Sequence, residues 1–204
     1  MKPAQVLVSL FVFLLLATSS IAAIIPVDLN DFYADWSVSV AADGSSAVMA
    51  EDEYASAVFL ANDPYFGDPG IAVPADVLSL SFDLSFLEGA DNDDSFLATL
   101  FDGNTGDFIA DFYVGDWTVA GESFVGTVSW DLTGLDPAVT LLGLEFQLNA
   151  WDFLFDSTAT ISNLAFQTED VEEPGPDPVP EPSTLLLLGA GLAGLAAYRR
   201  KQKK

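Results

Sequence analysis

The chain has 204 residues and a formal net charge of −25, because 31 Asp and Glu stand against six Lys and Arg, with no His and no Cys. The only cations are Lys2 and five residues from Arg199 onward, so the whole body of the chain between them is anionic. This composition argues against nucleic-acid binding, which depends on Lys and Arg at phosphates, excludes thiol and imidazole chemistry, and makes cations the natural partners.

Residues 1–23 are predicted to form a secretory signal peptide. Lys2 is followed by an apolar run from Val6 to Leu16, and Ala22 and Ala23 are small residues of the kind that signal peptidase reads. We therefore expect export, with signal peptidase as the first partner. Cleavage would leave about 160 residues before the C-terminal signal, which is enough for one domain with a sizeable core.

Residues 24–168 are predicted to form an all-β domain, an antiparallel β-sandwich or jelly roll of about nine strands. Apolar and polar residues alternate most clearly from Val77 to Leu87, which indicates a strand with one buried face. The other predicted strands are 108–114, 124–132, 142–148 and, more weakly, 36–40, 46–50, 54–61, 95–101 and 158–167. In the last of these, Ile161 and Leu164 are three residues apart, so they do not fit one two-residue alternation. This predicts a bulge near Ser162-Asn163.

The alternation also predicts which side chains form the core. The residues expected there are Leu78, Phe82, Phe112, Trp130, Leu144 and Phe146. Phe108 falls on the same face as Phe112 and is therefore expected to point inward as well.

An acidic loop between two predicted strands is a candidate calcium site. Its carboxylates are Glu88, Asp91, Asp93 and Asp94, and hard oxygen ligands bunched on a loop are what Ca²⁺ requires. The loop is not an EF-hand, because Phe96 stands where that motif needs glycine. The alternative interpretation is a solvated acidic loop without a specific ion.

Aromatic residues beside carboxylates form a candidate carbohydrate site. The residues are Tyr65, Trp117, Trp151 and Asp152. A flat ring offers an apolar face to a sugar ring, while a neighbouring carboxylate accepts hydrogen bonds from its hydroxyl groups. The alternative is that these rings belong to the core, as we expect for Trp130.

We expect no enzyme activity. A serine nucleophile would lack a partner base, and phosphoryl transfer would lack Lys and Arg. Only a glycosidase with paired carboxylates is chemically possible, and the sequence identifies no pair at the required separation.

Residues 169–179 are predicted to be an acidic, Pro-rich linker. Proline stands at every second position from Pro174 to Pro182, which favours an extended polyproline II spacer. A merely disordered tail is the alternative.

Residues 180–204 combine three different pieces. The polar motif Pro180-Glu181-Pro182 is followed by an apolar run from Leu185 to Tyr198. As a short hydrophobic helix this run would be about 21 Å long, against about 30 Å for the hydrocarbon core, so it enters a membrane but spans it poorly. Basic residues next to such a helix stay on the cytoplasmic side, which places everything before Leu185 outside the cytoplasm. The basic residues are Arg199, Arg200, Lys201, Lys203 and Lys204.

These three pieces resemble the C-terminal signal of the PEP-CTERM family of exported bacterial proteins. Val179–Thr184, the Leu/Gly/Ala run and the basic end all match the pattern of that signal. The resemblance implies that an exosortase, a membrane-embedded enzyme resembling a transpeptidase, recognises Pro180, Glu181 and Pro182 and processes the tail. It implies attachment to the membrane through the apolar helix before processing, and it leaves the β-domain unassigned.

Together these features predict an exported protein of the cell envelope, cell surface or extracellular matrix. The family association implies species that make exopolysaccharide, so a structural or adhesive role in a biofilm is the first hypothesis. The alternative is a carbohydrate-binding module, with or without calcium, that uses the aromatic and acidic loops. A glycan-binding screen would separate the two.

Overall fold

The computed structural model describes residues 22–89, 94–115, 122–150 and 156–169, and these are built almost entirely of strands. The strands are β1 Ala23–Pro26, β2 Tyr33–Ala34, β3 Val38–Val40, β4 Ser46–Ala50, β5 Ala57–Asn62, β6 Ile71–Ala72, β7 Val77–Leu87, β8 Ser95–Asp102, β9 Phe108–Val114, β10 Ser123–Asp131, β11 Leu141–Asn149 and β12 Thr158–Thr168. Two 3₁₀ turns, Leu29–Asp31 and Pro64–Phe66, interrupt them.

The strands form two six-stranded antiparallel sheets. In sheet 1 the order is β10-β7-β12-β4-β3, and β1 also pairs with β12. In sheet 2 the order is β2-β5-β11-β8-β9, and β6 also pairs with β11. The predicted antiparallel sandwich is confirmed, and all nine predicted strands are present. The additional strands β1, β2 and β6 have two to four residues each, which is too short for an alternating pattern to be recognised.

The core lies between the two sheets and is rich in phenylalanine. Phe82 of sheet 1 meets Phe146 of sheet 2 edge to face, with ring centroids 5.0 Å apart. Phe82 also contacts Trp130, whose Nε1 donates a hydrogen bond of 3.2 Å to the carbonyl oxygen of Asp111 on β9, in the opposite sheet. All the buried apolar side chains of this cluster come from the segment between Leu29 and Phe166. The sandwich therefore has a hydrophobic core of its own and is expected to fold without the C-terminal segment.

The predicted core is correct at four of six positions. Phe82, Trp130, Leu144 and Phe146 are buried, whereas Leu78 and Phe112 are only half-buried. Leu78 stands near the beginning of β7, and Phe112 lies on β9 at the edge of sheet 2, so neither is covered on all sides. Phe112 is partly covered by Phe124 of β10, with ring centroids 5.0 Å apart.

The inward orientation expected for Phe108 is wrong, because 64% of this residue is exposed. The register between β8 and β9 shifts at this point, so that Leu100 pairs with Ala110 but Phe101 pairs with Phe108. One extra residue on β9 turns Phe108 to the opposite face of the sheet.

The bulge predicted in β12 is confirmed. Ser162 pairs with Asp83 and Ala165 with Ser81, so Asn163 and Leu164 stand opposite the single residue Phe82 and β12 has one extra residue. Asn163 has a φ of 54°, a left-handed conformation that Asn tolerates better than most residues. The bulge lets Ile161 and Leu164 both point into the core.

All described residues belong to the first of two units into which the chain divides, Met1–Asp170. Within the described ranges no helix has the length and apolar character that a membrane crossing requires. Most of the predicted signal peptide, the linker beyond Glu169, the sorting motif and the C-terminal helix lie outside the described residues.

Candidate functional site

Three carboxylates from distant parts of the sequence meet at one end of the sandwich. Glu51 follows β4, Asp94 precedes β8 and Asp156 precedes β12. One carboxylate oxygen of each lies within 4.8 Å of those of the other two. Because Ala50 pairs with Thr158, the end of β4 lies beside the start of β12 in sheet 1, while Asp94 comes from sheet 2. We call Glu51, Asp94 and Asp156 the carboxylate cluster.

Ser157 links the segments that form the carboxylate cluster. Its backbone N–H donates to Glu51 Oε1 over 2.9 Å, and its hydroxyl donates to Asp94 Oδ2 over 2.5 Å. The hydroxyl oxygen in turn accepts a hydrogen bond of 2.8 Å from the backbone N–H of Gly89. Ser157 is fully buried, so these hydrogen bonds fix the relative positions of the segments.

Two buried oxygens of the carboxylate cluster receive no hydrogen bond from any donor in the described part of the chain. They are Asp94 Oδ1 and Glu51 Oε2. Asp94 is only 2% exposed. Two effects raise the pKa of Glu51 to about 8. The larger is burial, and the second is the adjoining Asp94 carboxyl.

The predicted calcium residues are only partly brought together. Asp94 belongs to the carboxylate cluster, whereas the buried Glu88 carboxylate accepts a hydrogen bond from the backbone N–H of Glu122. Asp91 and Asp93 lie outside the described residues. Sequence reasoning missed Glu51 and Asp156, because the register of β4 on β12 brings them together and the packing of sheet 1 on sheet 2 brings them to Asp94.

Gly89 permits the close approach of Asp156. A Cβ atom added at Gly89 would lie 1.5 Å from Asp156 Oδ1. A side chain at position 89 would therefore displace the exposed Asp156 carboxylate from the cluster.

A second candidate site is a groove of about 340 Å³ near the outer face of sheet 2. We call it the aromatic groove, and its lining residues are Asp63, Tyr65, Thr99, Phe101, Thr105, Gly106 and Phe108. The Tyr65 side chain is 80% exposed and stands on the 3₁₀ turn that follows β5. Asp63 caps this turn, because its Oδ1 accepts a hydrogen bond of 2.8 Å from the backbone N–H of Tyr65.

Phe101, which lines the aromatic groove, occupies the space that a side chain at position 143 would need. Phe101 pairs with Gly143 across β8 and β11, and a Cβ atom on Gly143 would come within 1.9 Å of the Phe101 ring. The ring therefore lies against the sheet. Glu145 follows on the same outer face, and burial together with the nearby Asp63 raises its pKa above the ordinary value.

Of the predicted carbohydrate residues, Tyr65 lines the aromatic groove. Trp117, Trp151 and Asp152 lie outside the described residues. Sequence reasoning missed Phe101 and Phe108. An apolar residue on the solvent side of a strand is the signal that could have revealed Phe101, whereas the bulge in β9 concealed Phe108.

The C-terminal segment is matched by a family model. Residues 178–201 fit the PEP-CTERM protein-sorting motif. The chain carries a PEP-CTERM sorting signal. This motif includes Pro180, Glu181 and Pro182, and it implies an exported protein that an exosortase processes. The β-sandwich in front of the PEP-CTERM motif is not assigned to a family, and a search of curated proteins finds no match to the chain.

Two solved structures resemble the sandwich that precedes the PEP-CTERM motif. One is an arabinose-bound GH51 α-L-arabinofuranosidase, with 14% identity and a TM-score of 0.36 over 73% of this chain, which spans only 22% of that protein. The other is a CBM4 structure, with 13% identity and a TM-score of 0.35 over 67% of this chain and 91% of that one. At this level of similarity, neither structure indicates the function of this chain.

Proposed function

We propose that this exported protein has a structural or adhesive role in the cell envelope or extracellular matrix, with exopolysaccharide as its partner. The PEP-CTERM motif carries this proposal, because a signal of this type places the sandwich outside the cytoplasm. Before processing, the apolar run Leu185–Tyr198 holds the chain in the membrane, and afterwards the sandwich is exposed to the matrix.

The proposal includes no catalytic activity. The carboxylate cluster brings three described carboxylates close together, and Asp94 among them is 2% exposed. A glycosidase needs both carboxyl groups in contact with the glycosidic bond. A buried Asp94 that already accepts a hydrogen bond from Ser157 is poorly placed for that role.

Deletion of the protein tests the matrix role. We expect cells that lack the chain to retain less exopolysaccharide, and the full chain to restore retention. The control is a chain that keeps the signal peptide and residues 169–204 but lacks the sandwich, and it should not restore retention. Exopolysaccharide bound to washed cells is the measurement, and equal amounts with and without the protein would contradict the proposal.

A second candidate function is saccharide binding in the aromatic groove. Exposed rings at Tyr65 and Phe108 offer apolar faces to a sugar ring, and Thr99, Thr105 and Asp63 supply hydroxyl and carboxylate partners. Large rings on a protein surface are well suited to recognition, because they bury much apolar area at little cost in conformational entropy. The exposure of Tyr65 and Phe108 on one groove favours this candidate.

Saccharide binding predicts a loss of affinity in Tyr65→Ala. We expect the dissociation constant for a polysaccharide that binds the wild type to rise by about threefold to tenfold, since a ring contact contributes about 0.5–1.5 kcal/mol. Tyr54→Ala is the matched control, because Tyr54 is 81% exposed and does not line the groove. Affinity gel electrophoresis measures the effect, and equal losses in both variants would rule out the groove as the site.

A further inference from the structure

We propose that the carboxylate cluster of Glu51, Asp94 and Asp156 binds a divalent cation, and that this cation is Ca²⁺. The inference does not depend on the proposed function. Oxygens that bind one Ca²⁺ lie about 2.3–2.6 Å from it, so opposite ligands are about 5 Å apart. The observed limit of 4.8 Å between the three carboxylate oxygens fits this geometry.

The part of the chain that the structure describes provides no positive side chain for these carboxylates. No Lys, Arg or His occurs between Pro3 and Tyr198, so none of the described residues can form a side-chain ion pair with them. Burying an unpaired carboxylate is costly, and buried charges in proteins are generally paired or bound to metal. The buried Asp94 and half-buried Glu51 carboxylates, with the exposed Asp156 adding a third negative charge beside them, therefore require a bound cation or a proton.

The buried oxygens point to a bound ion independently of the charge count. Asp94 Oδ2 accepts a hydrogen bond from the Ser157 hydroxyl. Asp94 Oδ1 has no described donor, and water cannot readily reach it because the residue is only 2% exposed. Glu51 likewise uses Oε1 for the Ser157 N–H and leaves Oε2 buried without a donor. A metal ion bound to the carboxylate cluster would satisfy both oxygens, as would a proton shared between Glu51 and Asp94.

The types of ligand favour Ca²⁺ over transition metals and Mg²⁺. All three groups are carboxylates, and the chain has no Cys or His, so the cluster lacks the nitrogen and sulfur ligands that transition metals prefer. Mg²⁺ demands near-ideal octahedral geometry at a shorter distance, whereas Ca²⁺ accepts six to eight oxygens in flexible arrangements. Two of these carboxylates are fixed by Ser157, so the more tolerant ion fits better.

Bound Ca²⁺ would connect the two sheets. Glu51 and Asp156 stand at the ends of β4 and β12 in sheet 1, and Asp94 stands at the start of β8 in sheet 2. The ion would replace repulsion among carboxylates with attraction across the sandwich. The role we assign to it is structural, because Asp94 is buried and cannot contact a saccharide or a protein partner.

Thermal unfolding of the sandwich, residues 22–170, tests the proposal. In wild type, each tenfold rise in free Ca²⁺ above the dissociation constant should raise the folding equilibrium constant about tenfold. Mg²⁺ at the same concentration and NaCl at matched ionic strength should give only the smaller effect of screening. Calorimetric titration should find one Ca²⁺ per chain.

Asp94→Asn is the decisive variant, because an amide oxygen can still accept the Ser157 hydroxyl. It should lose the calcium response while staying at least as stable as wild type in chelator, since one buried charge is gone. Asp111→Asn, an exposed carboxylate on β9, is the control and should keep the full response. A calcium response that survives in Asp94→Asn, or that Mg²⁺ or NaCl reproduces, would overturn the proposal of a Ca²⁺ site at this cluster.

Discussion

A chain in which Pro180, Glu181 and Pro182 are all replaced by alanine is expected to remain an unprocessed precursor in the membrane. The PEP-CTERM motif includes these residues, and they are the polar element that the processing enzyme would recognise. The apolar run and the basic end are unchanged in this variant, so insertion into the membrane should continue. We expect processing to be lost completely, as judged from the mass of the chain and its distribution between membrane and medium.

The control for this variant replaces prolines of the linker. Pro174→Ala and Pro176→Ala change the same residue type upstream of the motif and should be processed as in wild type. A triple variant that reaches the mature mass and location of the wild type would show that the motif does not direct sorting.

Phe146→Ala is expected to lower the free energy of unfolding by about 3–5 kcal/mol. Phe146 is completely buried. The centroid of its ring lies 5.0 Å from the ring centroid of Phe82, 6.2 Å from that of Phe96 and 6.3 Å from that of Phe32. It therefore joins the inner faces of both sheets. Its removal loses the transfer free energy of a large ring and leaves a cavity that the surrounding rings cannot fill.

Urea denaturation of residues 22–170 measures this effect. Phe66→Ala is the matched control, because Phe66 is 82% exposed and should change stability by less than about 0.5 kcal/mol. Similar losses in the two variants would show that Phe146 is not at the centre of the core.

Most of the fold could be predicted from the sequence because the domain is a two-sided sandwich. Each long strand has one face in the core, so alternation marks it, as at β7. The pattern fails where a strand is too short, as in β2 and β6, and where a bulge changes the face, as at Phe108 in β9. The bulge in β12 was predictable because the alternation of apolar residues shifts by one position between Ile161 and Leu164.

The candidate sites were harder to predict, for a physical reason. Asp94 was predictable as a metal ligand because it stands beside other carboxylates in the acidic loop. Glu51 and Asp156 are isolated in the sequence, and strand pairing between β4 and β12 alone makes them neighbours in space. The aromatic groove likewise depends on Phe108, whose outward direction follows from the register shift between β8 and β9, whereas alternation along β8 already places Phe101 outward.

The position of β12 determines when the sandwich can fold during export. β12 lies in the middle of sheet 1, where it pairs with β7, β4 and β1, yet it is made of the residues that immediately precede the linker. Until Thr158–Thr168 has crossed the membrane, β4 and β7 have no strand between them. Pairings between such distant segments form late and slowly. Sheet 1 is therefore completed only after the residues just before the linker have been exported.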